Sequence, residues 1–246
     1  MPIRVCVVYG LAAATGPIDN HAHAGRSAGV TAKTRALVFG ASGYIGTNLV
    51  PRLVEGGWRV RAAARHRAVL EARDWQDVEL IAADALDPAT LPAAVQDIDV
   101  AFYLVHSMAA GKNFAELDIE AAKNFAAAAA EAGLKRIVYL GGLIPADPRS
   151  LHLKSREETG DVLRHGSVPV TEIRAGMIVG PGSAAYEVIR DLVNYLPVMV
   201  TPRWVQSRST PIALDNLLDY LVGVARLPEA LGKIYDVGGS EVLTYE

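Results

Sequence analysis

Gly40, Gly43 and Gly46 stand three residues apart in Ala36-Leu37-Val38-Phe39-Gly40-Ala41-Ser42-Gly43-Tyr44-Ile45-Gly46-Thr47, and their spacing suits the binding of an anion. An apolar, β-branched run precedes them and a helical pattern follows, so the stretch reads as strand, tight turn and helix. Such a turn leaves the first N–H groups of the helix without partners, where the helix dipole favours a pyrophosphate. Gly40 would permit the sharp exit from the strand, Gly43 the approach of backbone to phosphate, and Gly46 the close packing of helix on strand. The G-x-x-G-x-x-G spacing differs from the ordinary G-x-G-x-x-G, and three glycines alone also fit a plain strand-to-helix corner.

Three further points carry chemistry. The expected strand Trp58–Ala64 ends at Arg65-His66-Arg67. A site for NAD usually has an Asp or Glu about 20 residues beyond the glycines, to hold the adenosine ribose. None is present; Arg65, with Arg61 and Arg67 nearby, offers cations that suit a 2′-phosphate. NADP is therefore the expected cofactor and NAD the alternative, while a solvated strand end is the plainer explanation of the arginines. Asp84 closes the run Val78–Ala83 and can accept from an adenine amino group, whereas Asp87 suits the cap of a helix begun by Pro88. The nearly unbroken apolar run Ile98–Val105 reads as a buried central strand, and His106-Ser107-Met108 follow at its carboxyl end. In an open α/β sheet that edge borders the ligand, though a simple loop fits the same residues.

The elements that must position these residues alternate along the chain. After the first helix, strands are expected at Trp58–Ala64, Val78–Ala83, Ile98–Val105, Lys135–Leu140, Val170–Val179, Pro211–Ala213 and Ile234–Val237. Helices are expected over Phe114–Ala132, His152–His165, Tyr186–Tyr195 and Asp215–Ala225, with Gly133 a stop signal. Strands alternating with helices predict a Rossmann-like, doubly wound parallel sheet covered on both faces, with a small C-terminal substrate-side region. Residues 1–34 begin with a short apolar run, too short to span a bilayer, and continue without apolar periodicity as a disordered leader. Residues 35–246 are then one domain, with a C-terminal region that resembles a truncated form.

The 246 residues are 51% hydrophobic and 21% charged, with a net charge of −3. That balance, without a basic run, argues against nucleic acid as a partner. One cysteine, Cys6, excludes an intrachain disulfide and a Cys-rich zinc site and suits a reducing cytoplasm. His21 and His23 lack further ligands nearby, so no metal is expected. Neither a phosphate-binding G-x-x-x-x-G-K-[ST] nor a G-x-S-x-G nucleophile elbow occurs, which makes ATP hydrolysis and esterase activity poor candidates.

Taken with Val138-Tyr139-Leu140-Gly141-Gly142 and Ile173-Arg174-Ala175-Gly176-Met177-Ile178-Val179-Gly180-Pro181-Gly182, the glycine turn, Arg65 and Asp84 give the chain its resemblance. It resembles an atypical short-chain dehydrogenase/reductase, of the NmrA-like and epimerase-like NAD(P)-binding group that includes relatives of the 39 kDa subunit of respiratory complex I. The resemblance covers about residues 35–245. It implies that the cofactor touches Gly40, Ser42, Gly43, Tyr44, Ile45, Gly46, Arg65, Asp84, Ala85, Val105, His106 and Arg156.

Active members of that family use Ser, Tyr and Lys, with Tyr and Lys one helical turn apart. Here the Tyr position is His152, the Lys position is Arg156, and the Ser position is Gly141 or Gly142, so every member departs. Two readings stay open. His152 is the proton donor and Arg156 the ribose anchor, since a guanidinium keeps its charge and its donors; or His152 merely begins a helix and Arg156 forms a surface salt bridge with Glu157 or Glu158. The first describes an oxidoreductase or epimerase-like enzyme acting on a small carbonyl or alcohol of unread identity. The second describes a non-catalytic NADP-binding redox sensor or a structural subunit.

Overall fold

Arg35–Phe39 (β1) is apolar at four consecutive positions and buried at all four, the pattern of a strand covered on both faces. A computed structural model describes residues 34–106, 113–144, 150–184, 186–187, 190–191 and 208–244. The expected leader and Ser107 and Met108 lie outside the described residues, as does most of the helix expected over Tyr186–Tyr195.

From β1 the chain turns at Gly40 into Tyr44–Glu55 (α1), which buries Gly46, Leu49, Val50 and Leu53 on one stripe and stops at Gly56-Gly57. Arg59–Ala64 (β2), Arg67–Glu71 (α2), Val78–Ala82 (β3), Leu91–Val95 (α3) and Val100–Tyr103 (β4) follow. Then come Phe114–Glu131 (α4), Arg136–Gly142 (β5), Leu151–Arg164 (α5) and Val170–Ala175 (β6). Ile178–Val179 (β7), Ile212–Ala213 (β8), Leu214–Arg226 (α6) and Ile234–Val237 (β9) complete the described chain. Asp87 caps the turn begun by Pro88, accepting from the Ala89 N–H at 3.2 Å, as expected.

Seven strands form one sheet in the order β3-β2-β1-β4-β5-β6-β9, and every pairing is parallel. Because β1 pairs with both β2 and β4, the strand order reverses between β1 and β4, which opens a crevice at their carboxyl ends. Alternate residues of each strand supply the two cores. Val38, Val60, Phe102, Val138 and Ile173 pack with α1 and α6, whereas Leu37, Phe39, Tyr103, Ile137 and Tyr139 pack with α3 and α4. On the second face Phe125 of α4 lies 4.9 Å from both Phe39 and Tyr103, centroid to centroid. Each such aromatic pair adds about 1 kcal/mol beyond its area burial, so the ends of β1 and β4 are firmly fixed.

Two sequence-based boundaries are corrected. The run expected as one strand over Val170–Val179 is broken between β6 and β7, where Gly176 donates its N–H to Val237 O and leaves no room for a Cβ, which would clash with the Thr210 carbonyl. Gly141 and Gly142 belong to β5 itself, in register with Arg174 and Ala175, so the strand runs beyond the Leu140 end expected for it.

Candidate functional site

The three glycines of the first turn have three different reasons to be glycine. Gly40 has φ +96°, and a Cβ there would lie 3.1 Å from the Leu104 carbonyl on β4's exit. A Cβ on Gly46 would sit 2.5 Å from Gly40 O and 2.6 Å from Ala41 Cα, so only glycine lets α1 approach β1 this closely. Gly43 has an ordinary φ of −74°, and its missing side chain leaves space with nothing nearer than Gly40 O at 3.4 Å. As N-cap it offers no side-chain hydrogen bond, and the first turn of α1 carries no acidic residue. The N–H groups of Tyr44, Ile45 and Gly46 thus begin a helix at the crevice with no acidic residue in its own first turn. Ser42, half-buried in the same turn, completes it.

Several expected contacts are redirected. The side chain of Tyr44 turns away from the phosphate side: its hydroxyl would meet a Cβ on Gly180 at 2.7 Å, and its ring lies beside Gly182. Burial, helped by Asp215 and Glu187, raises its pKa, and it stays a neutral phenol. Arg61 is not available to a 2′-phosphate. It pairs with Glu79 at 2.9 Å and donates to the carbonyls of Ala93, Ala94 and Gln96, binding β2 to β3 and α3. Arg67 pairs with Glu71 at 2.8 Å within its own helix. Arg65 is exposed at the end of β2 and forms no ion pair among the described residues. Asp84 is half-buried, with one carboxylate oxygen accepting from the Leu86 N–H at 3.0 Å; Ala85 is buried behind it and its carbonyl accepts from Asn124.

The second half of the site forms where β4, β5 and α5 meet. Val105 and His106 follow β4 and are half-buried. The His106 ring centroid lies 6.3 Å from Tyr139 and 6.4 Å from His152, and Phe114 closes the other side of His152 at 6.5 Å. Tyr139 donates from its hydroxyl to the backbone carbonyl of Arg156 at 2.9 Å, which holds α5 on β5. Arg156, one turn beyond His152, projects toward the strand end, where a Cβ on Gly142 would stand 3.6 Å from its Cδ and 3.8 Å from Nη1.

Three polar atoms of this cluster are buried without a hydrogen-bond partner: His106 Nδ1, His152 Nε2 and Arg156 Nε. Burial, then the Arg156 charge and His152, push the His106 pKa down to about 3, against a hydrogen bond to the Leu140 carbonyl. Burial and Arg156 also lower His152, with Asp118 opposing. Both imidazoles are neutral at pH 7. Arg156 is lowered by burial, opposed by Tyr139 and Asp118, and as a guanidinium it remains a cation.

The surface salt bridge considered for Arg156 is not formed: Glu158 pairs with Lys154 at 3.8 Å, and Arg156 has no ion pair among the described residues. The position of the family serine is filled. A Cβ on Gly141 would lie 3.1 Å from Glu172 Oε1, and one on Gly142 3.0 Å from Leu153 Cδ2. Glu172 is buried against Arg164 and Arg174. Three residues escaped the sequence reading although each left a signal. Asp118 lies in the buried stripe of α4 with Ala121, Ala122 and Phe125 and accepts from Ser155 at 3.2 Å. Glu172 and Arg174 interrupt the same face of an otherwise buried strand.

Comparison with known proteins supplies the family and the fold. The NmrA-like family model matches residues 32–174, from just before β1 into β6. A cinnamoyl-CoA reductase from Oryza sativa subsp. japonica is 31% identical over 44% of this chain and 34% of its own length. A ceramide reductase from Caulobacter vibrioides is 26% identical over 78% of this chain and 61% of its own. The chain therefore spans between about a third and three-fifths of these curated relatives. In fold it is similar to a double mutant of the dTDP-glucose 4,6-dehydratase DesIV from Streptomyces venezuelae, solved with NAD and DAU bound. The TM-score is 0.72 at 20% identity, covering 86% of this chain and 78% of the other. The Bordetella bronchiseptica enzyme WbmG, solved with NAD, gives a TM-score of 0.73 at 16% identity, covering 88% and 76%. With a family model matching more than half of its length, on the span that carries both the glycine turn and the β1/β4 crevice, the chain belongs to the NmrA-like family.

Proposed function

We propose that the protein binds NADP at the β1/β4 crevice and is an oxidoreductase of the short-chain dehydrogenase/reductase kind, acting in the cytoplasm on a small carbonyl or alcohol. The observation that carries this reading is the coincidence of two features at one sheet edge. A glycine turn opens there onto a helix with no acidic residue in its first turn, and at the same end of the sheet, beyond β4, His152 and Arg156, one helical turn apart, bury polar atoms without partners. The residues fit a dinucleotide: Gly43 leaves the space a side chain would fill, Ser42, Ile45 and Gly46 continue the amide cradle, and Arg65 stands free at the end of β2. Asp84, Ala85, Val105 and His106 border the same crevice from β3 and β4.

A nicotinamide held there would supply the hydride, as cofactors do for such chemistry. The chain's own part is to hold and move a proton. His152, neutral at pH 7, accepts at Nε2 the proton of an alcohol substrate and returns it in the reverse direction. Arg156 offers fixed donors to ribose hydroxyls. The relatives named as reductases are consistent with this class, and the similar structures solved with NAD are consistent with the cofactor type.

A second reading, a non-catalytic NADP-binding sensor or assembly subunit, draws on one observation: Glu172, Leu153 and Arg156 occupy the space at Gly141 and Gly142, so no hydroxyl replaces the serine. Thermal unfolding with NADPH and with NADH tests the binding step, because a ligand specific for the folded state raises Tm. A shift with NADPH larger than with NADH is expected; no shift with either removes the reading. NADPH oxidation across a carbonyl panel, lost in His152→Ala, then separates enzyme from sensor.

A further inference from the structure

Tyr44 is the first residue of α1, and its two ends serve different parts of the fold. The first bond of that helix runs from the Thr47 N–H to Gly43 O at 2.9 Å, so the Tyr44 N–H precedes it, together with those of Ile45 and Gly46. The ring runs the other way. A Cβ on Gly180 would lie 2.7 Å from the Tyr44 hydroxyl oxygen and 3.0 Å from Leu214 Cβ, and a Cβ on Gly182 would lie 3.7 Å from Tyr44 Cε2. The tyrosine ring and the first side chain of α6 therefore fill space that two glycines leave open.

The turn they close is tightly built. Gly182 has φ +77°, a conformation that favours glycine. The Ser183 N–H donates to Gly180 O at 3.0 Å, the buried Ser183 hydroxyl donates to Ile178 O at 2.7 Å, and Ser183 O accepts from the Glu187 N–H at 2.9 Å. β7 enters this turn after pairing with β8, and β8 leads directly into α6. Gly180–Ser183 is thus where the chain leaves β7 for the C-terminal region expected to face the substrate. The Tyr44 hydroxyl makes no hydrogen bond there, so the ring acts on the turn by packing alone.

We propose that Tyr44 is a positioning residue that ties the anion-binding turn to the start of the substrate-side region: its N–H serves the pyrophosphate cradle while its ring seats Gly180–Ser183. The inference rests on the NADP-binding reading above and goes beyond it by joining two sites that the sequence holds more than 130 residues apart. A phosphate held on the N–H groups of Tyr44, Ile45 and Gly46 restrains the Tyr44 backbone, and that backbone restrains a ring packed against the turn. The turn is then seated more firmly when the nucleotide is bound. Coupling of this kind passes through contiguous packing and needs no change of fold.

Amide hydrogen exchange of the full chain, with and without saturating NADPH, reads both ends of the residue at once. NADPH is expected to slow exchange at Ile45 and Gly46 and also, by about fivefold or more, at Gly180, Gly182 and Ser183. In Tyr44→Ala the three turn amides should exchange faster without nucleotide and lose their response to it. Tyr44→Phe keeps the ring and gives up no hydrogen bond, so it should behave as the parent does. Protection of Ile45 and Gly46 without protection of the turn in the parent overturns the proposal and leaves the cofactor reading standing. A turn response that survives in Tyr44→Ala, or is lost in Tyr44→Phe, also overturns it. The parent comparison needs no variant, so a variant that fails to fold leaves the test decisive. Inorganic pyrophosphate is titrated in the same way. Turn protection by pyrophosphate with none by NADPH supports the tie and overturns the nucleotide reading alone, whereas no protection by either at any of these amides overturns both.

Discussion

Gly142 and Arg156 share one space: a Cβ on the glycine would stand 3.6 Å from the arginine Cδ, 3.8 Å from Nη1, and 3.0 Å from Leu153 Cδ2. The loss of a side chain on β5 and the presence of a long cation on α5 are therefore two halves of one arrangement. Gly142→Val would place methyl groups against both neighbours. Overpacking of this kind costs about 1–3 kcal/mol. Urea unfolding should show a lower midpoint, and the imidazole signals of His106 and His152 should move as the guanidinium is displaced. A variant as stable as the parent, with unmoved signals, would contradict the arrangement.

Gly43 and Gly46 should answer differently to the same change. Gly46→Ala gains about 1 kcal/mol of helix propensity, but its Cβ would meet backbone at 2.5 and 2.6 Å, which must shift α1 away from β1. A net loss of about 1–3 kcal/mol is expected in urea unfolding. Gly43→Ala meets only Gly40 O at 3.4 Å and should change stability by less than about 0.5 kcal/mol. It should nevertheless reduce the NADPH-induced Tm shift, because the methyl group projects where phosphate would approach. Equal stability losses in the two variants would refute this division of labour.

Arg65 is expected to decide which dinucleotide is preferred. It is exposed and makes no ion pair among the described residues, so Arg65→Asp should leave folding nearly unchanged. Affinity for NADPH should fall about tenfold or more, the worth of a charge-assisted hydrogen bond, while NADH binding holds or improves. Isothermal titration with both nucleotides measures it; parallel losses would show that Arg65 does not face the 2′-position.

His106 makes stability depend on pH with a definite sign. Its pKa is held at about 3 in the folded protein and returns to 6.5 when unfolding exposes it. Below pH 6.5 the unfolded chain binds the proton and the folded one does not. The stability from this group is therefore complete above pH 6.5 and is lost as pH falls toward 3, by at most about 1.4 kcal/mol per pH unit. His152, lowered for the same reasons, acts in the same direction. In His106→Gln the slope of unfolding free energy against pH below 6.5 should flatten. An unchanged slope would show that His106 already binds its proton when folded.

What the sequence determined on its own is what near neighbours determine. The glycine triplet, the apolar strands and the helical stripes repeat over a few residues, so a doubly wound parallel sheet was legible from them. His152 and Arg156 share a helix face by their spacing alone. The tertiary structure decided everything that depends on register between distant strands and on how helices dock across them. Only the pairing of β2 with β3 and the docking of α3 show that Arg61 is engaged away from any ligand. Only the β5 and β6 register, Gly141 beside Arg174, brings Glu172 into the space of the family serine. The pairing of β4 with β5 and the packing of α5 on β5 bring His106 to His152, and Tyr139, bonded to the Arg156 carbonyl, holds Arg156 half-buried beside them. A chain's local pattern fixes which residues face a core, but the charges that meet within it are set by crossings between segments far apart in sequence.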